Sequence, residues 1–116
     1  MATVDDPISR DAARRIEAAV LALPGVAGLS SGEFSEVALL YPGARVRGLR
    51  LSNSEVVPRL EVHVVADLRA AGNLYELSER VRATAAAHVR FPVDVIVADA
   101  VDGSASSAAP SARRVK

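Results

Sequence analysis

GNLYELSERVR at residues 72–82 decides the fold, because it lies between two valine-rich runs, LEVHVVA at 60–66 and VDVIVA at 93–98. The first run alternates apolar and polar residues, as does a strand that buries one face. Asn73 is a good helix N-cap, and Glu76 follows three residues later as in a capping box. The three segments therefore predict a strand–helix–strand unit.

The chain before this unit predicts one more helix and three more strands. An apolar stripe over 10–23 indicates an amphipathic helix, and extended segments follow at 26–30, 37–41 and 45–52. Gly48 marks a bulge in the last of these segments. The order α-β-β-β-β-α-β predicts an α+β two-layer sandwich, with both helices on one face of a mixed sheet.

Length and composition predict the domain boundaries and the cellular compartment. We expect a flexible leader at 1–8, one α+β domain at 9–102, and a disordered, basic, Ser/Ala-rich tail at 103–116. The chain has no cysteine, which excludes disulfides and thiolate sites. It has neither a membrane-spanning apolar run nor the charge pattern of a signal peptide, so we expect a cytoplasmic protein.

Charge is unevenly distributed along the chain. All 14 acidic residues lie at or before Asp102, whereas Arg113, Arg114 and Lys116 lie beyond it, so residues 1–102 carry a net charge of about −3. Nucleic-acid-binding domains usually present a basic face instead. We therefore expect no appreciable binding of DNA or RNA at physiological salt.

Three pieces, taken in order, resemble the alkaline shock protein family, the Gls-type envelope stress proteins of Gram-positive bacteria: RIEAAV at 15–20 continuing to the GVAG at 25–28, GNLYEL at 72–77, and VDVIV at 93–97. The chain has only a trace of the family's glycine-rich segment, and Ala70-Ala71 replaces its usual aromatic, which indicates a divergent, actinobacterial member. The resemblance implies a protein that is not an enzyme. It also implies self-association, a membrane-anchored partner protein, a peripheral location at the inner face of the membrane, and a role in cell-envelope stress.

Candidate sites are few. Glu61 and His63 share one face of a strand and lie near enough to share a metal, but two ligands do not make a site. We therefore predict no metal, no cofactor and no catalytic residues, since no known catalytic motif is present. Arg45, Arg47 and Arg50 line a short segment that we predict to contact another protein, although they would equally keep a sheet edge soluble.

The alternative is a small KH-like RNA-binding module. It rests on Gly25-x-x-Gly28, because KH domains clamp phosphates with a GXXG loop. That loop joins two helices and carries basic or polar central residues, whereas here Val26-Ala27 is apolar and precedes an extended segment. We expect a helix-to-strand turn.

Overall fold

A computed structural model of the protein describes residues 8–52 and 58–102. The elements, in chain order, are α1 (Arg10–Leu21), β1 (Val26–Leu29), β2 (Ala38–Tyr41), β3 (Ala44–Arg47), β4 (Leu49–Ser52), β5 (Arg59–Asp67), α2 (Leu68–Ala71), α3 (Leu74–Ala86) and β6 (Val93–Val101). The predicted basic tail and most of the predicted leader lie outside the described residues.

Strand β5 is the centre of a mixed sheet. β1 pairs antiparallel with its C-terminal half and β4 with its N-terminal half, so these two short strands lie end to end along one edge. They meet at His63, whose N–H donates to the Gly48 carbonyl at 2.8 Å and whose carbonyl accepts from Ser30 N at 2.9 Å. β6 pairs parallel with β5 along the other edge.

One face of this sheet carries the core. Leu60, Val62 and Val64 of β5 are fully buried, and they belong to one apolar cluster with Ile16 of α1 and Val81 of α3. The polar residues that alternate with them are only partly buried, on the opposite face. The prediction of a two-layer α+β fold with a mixed sheet is confirmed.

Helix starts follow the capping signals in the sequence. The Ser9 hydroxyl accepts from Ala12 N at 3.1 Å, and the Asn73 side chain accepts from both Tyr75 N and Glu76 N. These bonds satisfy backbone donors that have no partner inside the helix. The apolar patterns predict helices over 10–23 and 73–89, whereas α1 ends at Leu21 and α3 at Ala86.

Gly48 divides the predicted 45–52 strand into β3 and β4. Its φ of +87° is unfavourable for residues with a side chain, and a Cβ there would lie 2.6 Å from the Cβ of Leu29. The chain therefore changes direction at Gly48, and β3 leaves the main sheet to pair with β2 in a separate hairpin. The sequence predicted a bulge at Gly48 within one strand; the irregularity is at Gly48, but it separates two strands of different sheets.

Two features differ from the sequence-based expectation. The short helix α2 was not predicted; Asp67 caps it by accepting from Arg69 N at 3.1 Å. Ile8, assigned above to the flexible leader, is 2% exposed and packs in the core, and its carbonyl accepts a 2.8 Å hydrogen bond from the Tyr41 hydroxyl. The ordered domain therefore includes Ile8.

Candidate functional site: the open sheet face and the hairpin

The face of the sheet away from the helices carries a row of polar side chains, and we call it the open face. Its centre is His63, whose Nε2 lies 3.1 Å from Glu61 Oε1. Arg50 of β4 pairs across the sheet with Glu61, and its Nε lies 4.0 Å from the same carboxylate oxygen. The Glu61 oxygen nearest His63 is therefore shared between an imidazole and a guanidinium.

The predicted proximity of Glu61 and His63 is confirmed, and their surroundings bear on metal binding. No group of three His, Cys, Asp or Glu side chains in residues 8–52 and 58–102 is arranged to hold a metal ion. Arg50 also places positive charge beside the carboxylate that a cation would need. The side chains of His63 and Glu61 are only 14% and 25% exposed, so the pair is largely buried.

A second ion pair lies beside the first on the open face. Arg59 of β5 donates two hydrogen bonds to Asp94 of β6, from Nε at 2.9 Å and from Nη2 at 2.8 Å. These hydrogen bonds, with the charge of Arg59, hold the pKa of Asp94 below its usual value. Asp94 therefore presents little net charge at the edge of the sheet.

The loop between β1 and β2, residues 30–37, is held in shape by its own hydrogen bonds. Val37 N donates to the Ser31 carbonyl at 2.9 Å and closes the base of the loop. Inside it, Glu36 Oε1 accepts from Phe34 N at 2.9 Å. Hydrogen bonds from the backbone N–H groups of Glu36 and Phe34, together with the charges of Arg50 and His63, lower the pKa of Glu36. Glu36 is therefore ionised at neutral pH and organises the loop.

This organised loop presents Phe34 to solvent, 85% exposed. On the neighbouring hairpin, Leu40 is 75% exposed and stands opposite Arg45 in the register of β2 and β3. The Arg45 guanidinium reaches the loop and donates to the Ser35 carbonyl at 2.8 Å. The loop that carries Phe34 is thus held against the hairpin strand that carries Arg45 and Arg47, and we call Phe34, Leu40, Arg45 and Arg47 the hairpin surface.

The three predicted contact arginines lie on two surfaces: Arg45 and Arg47 on the hairpin, and Arg50 on the open face beside Glu61. Val46 and Leu49 point into the core, whereas Arg45, Arg47 and Arg50 are exposed. The sequence-based prediction did not include Phe34 or Leu40. Phe34 could have been found, because it is a single aromatic residue among turn-forming residues.

A pocket of about 460 Å³ lies between this loop and β6. It is lined by Ser30, Gly32, Glu33, Ala98 and Asp99. Its two carboxylates would attract a cation, and the side chains that line it include no nucleophile paired with a base. The pocket therefore gives no reason to assign a reaction to the protein.

The Gly25–Gly28 segment forms the predicted turn from helix to strand. Gly25 has a φ of +94°, and a Cβ there would lie 2.9 Å from the Cα of Ala71. The glycine is thus explained by close packing of the turn against α2. The segment after it is strand β1, whereas a KH loop is followed by a helix.

We compared the chain with protein-family models, with curated proteins and with solved structures, and none of the three comparisons finds a match. Over residues 8–52 and 58–102, every helix is too short or too polar to span a bilayer.

Proposed function

We propose that this protein is a non-catalytic interaction module of the alkaline shock type. In this proposal it acts in cell-envelope stress homeostasis, at the cytoplasmic side of the membrane, through self-association and a membrane-anchored partner protein. The family and its cellular role come from the sequence resemblance. The observation that supports an interaction module is the hairpin surface.

The residue types of the hairpin surface are suited to protein binding. Binding energy at protein interfaces is concentrated in a few side chains, often aromatic residues and arginines, surrounded by groups that exclude water. Phe34 and Leu40 are the two most exposed large apolar side chains in the described part of the chain. Their exposure leaves apolar area that water solvates poorly, and burial under a partner would recover about 25 cal/mol per Å².

The structure of the loop reduces the cost of binding. Glu36 fixes the backbone at Phe34, and the hydrogen bond from Arg45 to Ser35 fixes the loop against the hairpin. A side chain held in its binding position loses less conformational entropy when a partner binds. The loop is thus preorganised to present Phe34.

Charge indicates the chemistry of the partner. Arg45 and Arg47 flank the apolar side chains, and Arg47 has no hydrogen bond or ion pair among the described residues. A partner segment that carries apolar residues beside Asp or Glu would complement this surface. We assign this segment to the cytoplasmic part of the membrane-anchored partner.

RNA binding is the second candidate, because an exposed aromatic beside arginines is also the chemistry of a base-stacking platform. Two observations weigh against it. Glu33 places a negative charge next to Phe34. The other well-exposed aromatic, Tyr75, lies in the first turn of α3, near the C-terminal end of α1 and away from the hairpin surface. Single-stranded nucleic acid would need successive stacking platforms along one basic groove.

The test is an affinity pull-down of the full chain from the native cell, with mass-spectrometric identification. We expect recovery of a membrane protein with the wild-type chain, and at least a tenfold loss with Phe34→Ala/Arg47→Glu. Tyr75→Ala removes a similarly exposed aromatic from α3, away from the hairpin surface, and this variant should still bind the partner. Nuclease-sensitive recovery of RNA-processing proteins without a membrane protein would refute the proposal and favour RNA binding.

A further inference from the structure

The outer edge of β6 has free backbone groups. The Pro92 carbonyl accepts from Leu60 N at 2.9 Å, so it points toward β5. Since backbone groups of successive strand residues point to alternate sides, those of Val93, Val95 and Val97 point away from β5. Within residues 8–52 and 58–102, no backbone hydrogen bond reaches these outward groups. We call Val93, Val95 and Val97 the β6 edge.

Within the described part of the chain, this edge lacks the features that normally protect a sheet from pairing with another chain. Proteins protect edges with proline, lysine, bulges, very short strands or a covering segment. Residues 93–97 read VDVIV, and the register shift opposite Val64 and Val65 comes only after Val97. By contrast, the opposite edge of the sheet is made of two four-residue strands divided at Gly48.

We infer that the β6 edge pairs antiparallel with the β6 edge of a second copy of this chain, across a twofold axis at Val95. This register sets Val93 opposite Val97 of the other copy and Asp94 opposite Ile96. In this register, every outward-pointing backbone N–H and C=O group of Val93, Val95 and Val97 has a hydrogen-bond partner in the other copy. The pairing ends before the bulge that follows Val97. An axis at Val97 would instead carry the pairing across the bulge at residues 98–99.

Charge favours an identical edge as the occupant. Asp94 is the only charged residue at 93–97, and Arg59 of its own chain neutralises it through two hydrogen bonds. In the inferred register, Asp94 faces an isoleucine, so no like charges stand directly opposite. A charged peptide would find no complementary charge along this edge, whereas an identical strand needs none.

The inferred contact is modest in size. Five residues from each copy bury less than the roughly 800 Å² per partner that is typical of stable complexes. The valines of the edge would continue the apolar layer beneath α3 from one copy to the other, because Val93, Val95 and Val97 all contact the core cluster. We therefore expect reversible association that depends on protein concentration.

This inference specifies the self-association in the proposed function, and a charge-swap pair tests it. Ile96→Glu places a carboxylate opposite Asp94 of the other copy, whereas Ile96→Lys removes the same apolar group and places an ammonium there. We expect the full chain to dimerise with rising concentration in sedimentation velocity. Ile96→Glu should weaken the dimer at least tenfold, and Ile96→Lys should retain it.

A second measurement does not depend on substitutions that affect folding. In amide hydrogen exchange by NMR, the N–H groups of Val93, Val95 and Val97 should become protected as concentration rises. The N–H groups of Asp94 and Ile96, which face β5, should be protected at every concentration.

A chain that stays monomeric, a dimer equally affected by both Ile96 substitutions, or unprotected valine amides in a dimer would each overturn the inference. The partner pull-down is a separate readout. If the edge pairing fails while capture through the hairpin surface persists, only the inference about β6 is lost.

Discussion

Replacing Gly48 by alanine tests whether the division between β3 and β4 is set by that residue. Two costs add at this position. The φ of +87° costs an L-residue about 1–2 kcal/mol, and the Cβ would lie 2.6 Å from the Cβ of Leu29. Overpacking of this kind costs roughly 1–3 kcal/mol, so we expect Gly48→Ala to lower the free energy of unfolding by about 2–5 kcal/mol.

Gly43 provides the matched control, since its φ is +72° and a Cβ there meets nothing within 4 Å. Gly43→Ala should therefore cost only the conformational part, about 1–2 kcal/mol. Asparagine tolerates positive φ, so Gly43→Asn should be almost neutral. Gly48→Asn should remain strongly destabilising, because its Cβ still meets Leu29.

The assay is urea unfolding followed by far-UV circular dichroism, with slopes compared between variants to verify two-state behaviour. Equal losses for the two alanine variants would show that the contact with Leu29 costs nothing. A Gly48→Asn variant as stable as the wild type would also show that this contact with Leu29 costs nothing. Either result would refute the argument that close approach of β1 requires a glycine at position 48.

Three further predictions concern α3 and the open face. Asn73→Ala should cost about 1 kcal/mol in thermal or urea unfolding, because the side chain caps two backbone N–H groups, and a loss below a few tenths would contradict this role. Leu77→Ala, fully buried, should cost roughly 2–5 kcal/mol, whereas Leu74→Ala at the 38% exposed position should cost much less; equal costs would contradict the core assignment. Arg59 lowers the pKa of Asp94 in the folded state, so the ion pair stabilises the fold at pH values above the unfolded-state pKa of about 3.9. This stabilisation is lost as the pH falls through the lower folded-state pKa. Asp94→Asn should therefore cost up to about 1 kcal/mol at neutral pH and progressively less in urea unfolding as the pH falls below about 3.9, and a cost that does not change with pH would contradict the ion pair.

The features that the sequence predicted well are those encoded by local periodicity and capping. The alternation around His63 predicted strand β5 and its buried face, but not its central place in the sheet. Asn73 predicted the start of α3 because an N-cap acts within three residues of itself. Gly48 predicted where the 45–52 segment becomes irregular, because glycine tolerates the backbone angles that a bulge requires.

The features that the sequence missed depend on contacts between distant segments. Ile8 is a single apolar residue without a periodic neighbour, and its burial requires Tyr41 and the hairpin. The four residues of α2 are too few for helical periodicity to be visible. In the sequence Phe34 resembles an ordinary loop residue, because its fixed position depends on the hydrogen bond from Phe34 N to the Glu36 side chain. The arginines were predicted as a set, but their apolar neighbours were not.

The hydrogen bond from the Tyr41 hydroxyl to the carbonyl of Ile8 gives the protein a built-in optical probe. The chain has no tryptophan and only two tyrosines, and Tyr75 is 74% exposed. In a Tyr75→Phe variant, all tyrosine fluorescence would come from the junction between the hairpin and the start of α1. Changes in that emission during unfolding, or on addition of a partner, would then report separation of the hairpin from the helix without any attached label.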